Sequence, residues 1–221
     1  MTHYSRGRPF LTMFDEIFER ESYRFSMPGP GGRILDIGAN IGLATIYFKR
    51  LHPRASVVAV EANPDIGALL KRNVASHGLS DVTVLTKAVA SEAGKVRFHC
   101  EPGLGSRLAD GAGDATIEVE AVTLASLVTD DVQLVKLDVE GAESPLLQAN
   151  NDWLNQVPRL FFEHHLREDE GDSLPGILLD LSRRGFRHLT APATEIPPRF
   201  EGPHAFPPFV RQQNVWAWKP R

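Results

Sequence analysis

RILDIGANIGLATIYF, residues 33–48, decides the fold. Arg33 leads into a short apolar run ending at Asp36-Ile37, and Gly38 and Gly42 then frame Ala39-Asn40-Ile41. From Gly42 to residue 51 the apolar residues recur at helical spacing, up to His52-Pro53. Strand, glycine turn, helix is the opening unit of a parallel α/β sheet, whose ligands sit beyond the carboxyl ends of the strands.

Working outward, the same rhythm recurs. SVVAVEA (56–62) reads as a second buried strand; Asn63 suits a helix cap, Pro64 a first helical position, and Gly78 a stop. VTVLTKAVA (82–90), VQLVKLD (132–138) and RLFFEHH (159–165) are a third, fourth and fifth strand. Ser144-Pro145 opens one further helix and residues 174–184 form another, while FRHL and NVWAWK close the chain as two strands. Strands alternating with helices predict a mostly parallel sheet with helices on both faces. KVRFHCEPG and ATIEVEAVTL alternate apolar with polar, so they read as an inserted antiparallel β-hairpin around a Gly-rich connector. Residues 12–25, with Met13, Phe14, Ile17 and Phe18 at helical spacing, predict an amphipathic covering helix. The expected organisation is therefore an N-terminal helical cap (1–32) on a single compact domain (33–221). The segment 191–209 holds six prolines and reads as a long binding or covering loop.

The glycine turn selects its ligand by what it lacks. Its spacing is Gly-x-x-x-Gly, not the Gly-x-Gly-x-x-Gly of dinucleotide phosphates, and Asp36 beside it would repel a phosphate. Gly38 is expected to allow close backbone approach and Gly42 tight helix packing. Glu61 lies 23 residues beyond Gly38 (61 − 38 = 23), where an acid can accept hydrogen bonds from ribose hydroxyls. An adenosine without pyrophosphate and with a positive charge fits; S-adenosylmethionine is such a molecule, with Asp36 near its amino-acid or sulfonium end.

The bulk numbers narrow the class. The chain has 221 residues, a hydrophobic content of 42%, a net charge of −4 and one cysteine, Cys100. The acidic balance argues against a nucleic-acid partner. No apolar run approaches the roughly 18 residues that would span a membrane, and the N-terminus lacks an apolar signal core. The expectation is a soluble, cytoplasmic protein.

ILDIGANIG, the acid in VEANP, and VKLDVEGAE, followed by EHH, together resemble the class I S-adenosylmethionine-dependent methyltransferases, and within them the FkbM family. The resemblance spans residues 21–165. It implies a seven-stranded Rossmann-like methyltransferase fold and methyl transfer, usually to oxygen, on small natural products or sugars. By position, Gly38, Asn40 and Gly42 would line the methionine end of the cofactor and Glu61 would bind the ribose. Asn63 would lie near the adenine, with backbone contacts from Ala88 and Val89. KAVAS lacks the acidic side chain that many such enzymes place there.

Methyl transfer to a hydroxyl asks the protein for positioning and often for a base. Asp138, at the tip of the fourth strand, would orient the cofactor's amino group or the acceptor; Glu140 and Glu143 follow it at a helix start, where acids suit the dipole. Lys136 shares a strand face with Asp138 and needs a buried ionic partner. At the fifth strand's end, His164 or His165 is the candidate base, with Glu163 behind it, since an imidazole titrates near neutrality. Alternation places Glu163 and His165 on one side and His164 on the other. Mg²⁺ between Asp138 and Glu163-His164 would be a further cofactor, but the ligand set departs from a purely oxygen one and the metal stays open. Tyr23 either folds over the cofactor or plugs the core; Ser106, Arg107 and His204 are loop residues within reach of an acceptor. The leading function is O-methylation of a hydroxylated small molecule. N-methylation and nicotinamide-dependent oxidoreduction are the alternatives. The N-terminal helix and the inserted hairpin are the candidate surfaces for a homo-oligomer.

Overall fold

The computed structural model describes residues 7–29, 31–99, 107–108, 116–149, 151–167, 170–193 and 209–220. Seven strands form the main sheet. β1 (Arg33–Ile37), β2 (Ser56–Val60), β3 (Val82–Leu85), β8 (Val132–Leu137) and β9 (Arg159–Arg167) run parallel; β10 (Arg187–Pro192) and β11 (Phe209–Trp218) are antiparallel at one edge. The order is β10-β11-β9-β8-β1-β2-β3. Strand succession runs one way from β1 through β2 to β3 and the other way from β1 through β8 to β9, so ligands are expected at the carboxyl ends of β1, β2 and β8. This is the Rossmann-like, seven-stranded architecture read from the sequence.

α2 (Leu43–Leu51) follows β1, and α3 (Pro64–Ser76) follows β2. Asn63 caps α3, its Oδ1 accepting from the Asp65 N–H at 2.9 Å and the Ile66 N–H at 3.4 Å. α5 (Glu143–Gln148) and α6 (Leu174–Arg183) cover the opposite face of the sheet from α2. That face packs Leu35, Ile37, Val135, Leu137, Leu160 and Phe162 into the larger apolar cluster.

The face under α2 is graded. Ile34, Leu134, Phe161 and Trp216 make its lower, apolar part, in contact with Ile17, Tyr23 and Phe48. One step further up the same strands stand Asp36, Lys136, Glu163 and Asn214, with Asp36 opposite Lys136 and Glu163 opposite Asn214, while Lys136 lies across from Phe161. Charge thus replaces apolar surface toward the carboxyl ends of the strands.

Three expectations change in detail. The N-terminal helix is shorter: α1 (Gly7–Phe14) passes into a π-helical turn, Asp15–Glu19, and is not helical to residue 25. The expected third strand breaks at Thr86-Lys87. Its second half, β4 (Ala88–Val89), leaves the main sheet to pair in parallel with β7 (Thr116–Val122). The inserted hairpin is accordingly part of a four-stranded sheet, β4-β7-β5-β6, with β5 at Gly94–His99 and β6 at Arg107–Leu108; β5 and β7 are antiparallel as expected. Ser106, His204 and most of the Pro-rich stretch lie outside the described residues, as does the Arg107 side chain.

Candidate active site

A cleft opens at the carboxyl ends of β1, β2 and β8. Its lining includes Gly38, Asn40, Glu61, Asp138 and Glu140, with Ala62, Ile66, Ala88, Val89 and Phe98 as apolar wall. Asn40 adopts φ 51°, a left-handed conformation that asparagine tolerates better than most residues. Its backbone N–H donates to Glu61 Oε2 at 2.9 Å, and the Asn63 N–H donates to Glu61 Oε1, also at 2.9 Å. Two main-chain donors therefore fix both oxygens of Glu61, while burial pushes its pKa up.

Gly38 is required for a reason other than ligand approach. At φ +73°, a Cβ there would sit 1.7 Å from the Asp138 carbonyl oxygen. The glycine lets the two strand tips touch. Gly42, at φ +93°, opens α2 against α3, where a Cβ would meet Leu70 at 2.6 Å.

Asp36 is fully buried and does not line the cleft. Its Oδ2 accepts from Thr45 Oγ1 at 2.6 Å, and its Oδ1 lies 3.6 Å from Lys136 Nζ. Lys136 Nζ also donates to the Gly38 carbonyl at 2.8 Å and lies 3.4 Å from Asp138 Oδ2. The lysine has the buried ionic partners its position demanded, and it ties the β1 tip to the β8 tip. Asn63, a capping residue, is likewise absent from the cleft wall. Tyr23 packs its ring against Phe161 (4.7 Å) and Phe48 (5.9 Å) in the apolar cluster. The plug reading of Tyr23 fits this geometry; a ring folded over the cofactor does not. Ala88 and Val89 do line the cleft, with their backbone paired to Ala121 and Val122.

Beside the cleft, the turn after β8 carries Glu140 at φ 55° and Gly141 at φ 103°. Glu143 bends back to hold it, accepting from the N–H groups of Val139 (2.9 Å) and Gly141 (3.1 Å). The same carboxylate lies 3.1 Å from His165 Nδ1, and His165 Nε2 faces Glu163 at 3.3 Å and Glu140 at 3.6 Å. Burial alone would lower the His165 pKa, but Glu143 and Glu163 hold it well above the usual histidine value. Glu143 is lowered by the same contact despite its burial. Both ring nitrogens of His165 are thus taken up by carboxylates, Nδ1 by Glu143 and Nε2 by Glu163 and Glu140, which counts against its reading as a base.

His164 points to the opposite face, as alternation required. It is fully buried, its Nε2 3.0 Å from Ser173 Oγ and 3.4 Å from Ser144 Oγ. It faces neither Asp138 nor the cleft, so it is removed from both the base and the metal readings. Two of the carboxyls facing His165 are raised as well. Burial lifts Glu140 to about 8, helped by Asp138, and burial also raises Glu163.

Asp138, Glu143 and His165 bring one ligand atom each within 4.8 Å of one another. The donors do not suit Mg²⁺. Glu143 is occupied by two backbone N–H groups and an imidazolium, and the Lys136 ammonium already stands against Asp138. Mg²⁺ asks for near-octahedral oxygen.

The Methyltransferase FkbM domain matches residues 36–188, more than half of the chain. The chain belongs to the FkbM methyltransferase family. The family segment begins at Asp36 and contains every cleft residue named above. Methyltransferase sdnD of Sordaria araneosa is 28% identical over 174 residues, covering 62% of this chain and 67% of that protein. The 2-O-methyltransferase NoeI of Sinorhizobium fredii (strain NBRC 101917 / NGR234) is 26% identical over 175 residues, covering 69% and 71%. A methyltransferase FkbM structure from Methylobacillus flagellatus KT superimposes with a TM-score of 0.60 at 15% identity, covering 91% of this chain and 46% of that one. The chain spans about two thirds of the length of the first two relatives and under half of the third. No helix among the described residues is long and apolar enough to cross a membrane.

Sequence reasoning missed Ala62, Ile66, Lys87, Phe98 and Val139 as cleft residues. Only Phe98 had a signal, an aromatic on the apolar side of an alternating strand.

Proposed function

We propose that the protein is an S-adenosylmethionine-dependent methyltransferase acting on a hydroxyl of a small molecule. The observation that carries this reading is one cleft that gathers a main-chain-pinned Glu61, the Asn40 turn, Asp138 and an apolar wall of Ala62, Ile66, Ala88 and Phe98. Glu61, with each oxygen already oriented, suits the ribose diol; the apolar wall suits a flat base; Asp138 suits the cationic end. Once bound, such a cofactor supplies an electrophilic methyl group. The residues then have three tasks. Lys136 locks the tips of β1 and β8 together, so the cleft walls do not drift. The His165 imidazolium holds Glu140, Glu143 and Glu163 in one group. A carboxylate with a raised pKa, not a histidine, receives the hydroxyl proton. Oxygen as the acceptor atom is supported by the 2-O specificity in the name of one relative.

The test is calorimetric titration with S-adenosylhomocysteine and, in parallel, NAD. Saturable binding of the first, weakened at least tenfold by Glu61→Ala, is expected; binding of NAD instead would sink the reading. One observation favours N-methylation as a second reading. The carboxyls of Asp36, Asp138, Glu143 and Glu163 outnumber the two cations they face, Lys136 and His165, which suits an ammonium. Transfer to amines but not to alcohols would select it.

A further inference from the structure

The N-terminal segment lies before the family match, yet it is anchored to the charged end of the site. Trp216 Nε1 donates to the Ser22 carbonyl at 2.7 Å, and two residues earlier on β11 Asn214 Nδ2 donates to Glu16 Oε1 at 3.2 Å. Asn214 is directly opposite Glu163 in the β9–β11 register, on the face that also carries Lys136 and Asp36. The π-helical turn Asp15–Glu19 buries Ile17 in the apolar cluster and leaves Glu16 over the charged part of the sheet. π-turns recur at functional sites.

A second observation points to a ligand. Asn214 is 5% exposed, and its Oδ1 has no hydrogen-bond partner among the described residues. A buried amide oxygen left unpaired is destabilising unless a donor arrives. The surrounding groups, Glu16, Glu163 and Asp138, are also acceptors when ionised. Neither Lys136 nor Tyr23, the donors near Glu16, pairs with Asn214 Oδ1, and a hydroxylated ligand carries donors of its own.

We propose that Glu16 and Asn214 form the acceptor subsite, with Asn214 Oδ1 accepting from a hydroxyl of the acceptor and Glu16 taking the proton of the hydroxyl that is methylated. This rests on the methyl-transfer reading above. As the acceptor oxygen's lone pair forms the new O–C bond, the methyl–sulfur bond breaks and its electrons pass to sulfur. The hydroxyl proton goes to the Glu16 carboxylate and from there to solvent. Glu140 and Glu163 are less suited, because both already face the His165 imidazolium. Glu16 is held by a neutral amide. Burial, with Glu163 and Asp138 nearby, lifts its pKa to about 7, while the Asn214 hydrogen bond and Lys136 pull the other way. A base titrating near neutrality is effective there. The groups facing it are Glu163 on β9, Lys136 and Asp138 at the end of β8, neutral Asn214 on β11, and Tyr23 of its own segment.

The experiment compares the wild type with Glu16→Gln and Asn214→Leu. Three readouts are taken: S-adenosylhomocysteine affinity by calorimetry, methyl transfer from S-adenosylmethionine to a panel of methyl glycosides and simple diols, and carboxyl labelling by dicyclohexylcarbodiimide mapped by mass spectrometry. Product affinity is expected within twofold for all three proteins. Glu16→Gln is expected to lower kcat about 10²-fold and to remove the fall of kcat/KM below about pH 7. Asn214→Leu is expected to raise KM about tenfold. Labelling of Glu16 is expected below about pH 7 and lost above it. Turnover by Glu16→Gln within threefold of the wild type, or no Glu16 labelling at any pH, overturns the role. Intact product binding with no turnover of any panel member overturns the hydroxyl-donor acceptor. Absent product binding by the wild type would instead bring down the methyltransferase reading, and this inference with it.

Discussion

At the residue scale, Gly38 and Lys136 separate what a side chain is from what it is for. A glycine at the tip of the first strand was expected to admit a ligand. It admits the Asp138 carbonyl, 1.7 Å from where a Cβ would stand. Gly38→Ala must displace main chain at a left-handed φ, a change that typically costs more than about 3 kcal/mol. Urea unfolding should show that loss or a failure to fold; a cost below about 1 kcal/mol would mean the tips do not need to touch. Lys136→Met leaves Asp36 buried with Thr45 as its remaining strong partner. Removing one member of a buried pair costs about 3–5 kcal/mol, because the other charge is stranded. Adding Asp36→Asn should recover at least about 1 kcal/mol of it. If the double variant is no better than the single, the stabilising contact of Lys136 is the Gly38 carbonyl and not the carboxylate.

At the element scale, the central strands were legible and the edges less so. β1, β2, β8 and β9 are five to nine residues long and mostly apolar, with polar residues gathered at or just beyond their carboxyl ends, a pattern that fits buried parallel strands. The break between β3 and β4 falls at the polar pair Thr86-Lys87 of VTVLTKAVA, but two polar residues do not announce that the partner changes from β2 to β7. The N-terminal helix was misjudged at its ends: it begins at Gly7, and Glu21 at φ 51° turns the chain out of helix, which apolar spacing does not announce. What holds that segment is remote in sequence: the hydrogen bond from Trp216 to Ser22. Trp216→Phe keeps the ring contact with Phe161 and removes the donor. The expected cost is about 1 kcal/mol, with faster amide exchange confined to residues 15–25 in deuterium-exchange mass spectrometry. Uniform acceleration across the main sheet would show that Trp216 acts as core packing and not as an anchor.

At the scale of the whole molecule, the charged end of the sheet couples function to pH in a way no local pattern announces. The parity of Glu163, His164 and His165 followed from strand alternation. Their protonation did not, because it depends on Glu143 from α5 and on burial. Glu16 was less legible still, because nothing in DEIFERES sets it apart until residue 214 is brought beside residue 16. Glu16, Glu140 and His165 share one sign of linkage. Glu16, raised from 4.5 to about 7, and Glu140, raised to about 8, keep their protons longer in the folded chain. Each therefore contributes stability at low pH that is lost as pH rises from 4.5 through its folded value. His165, raised above 6.5, contributes stability that is complete below 6.5 and lost as pH climbs through its folded value. Glu143, lowered, acts oppositely and only in acid, where stability falls as pH drops below 4.5. The melting temperature should therefore be highest in mildly acidic buffer and decline from about pH 5 to about pH 9. Glu16→Gln cannot ionise, so its decline should be shallower by about 1 kcal/mol, or roughly 2–4 °C for a chain of this size. Differential scanning calorimetry of both proteins across that range decides the matter. A wild-type profile that is flat, or a variant that falls in parallel with it, would mean that Glu16 is solvated and that the N-terminal segment does not close over the charged end of the sheet.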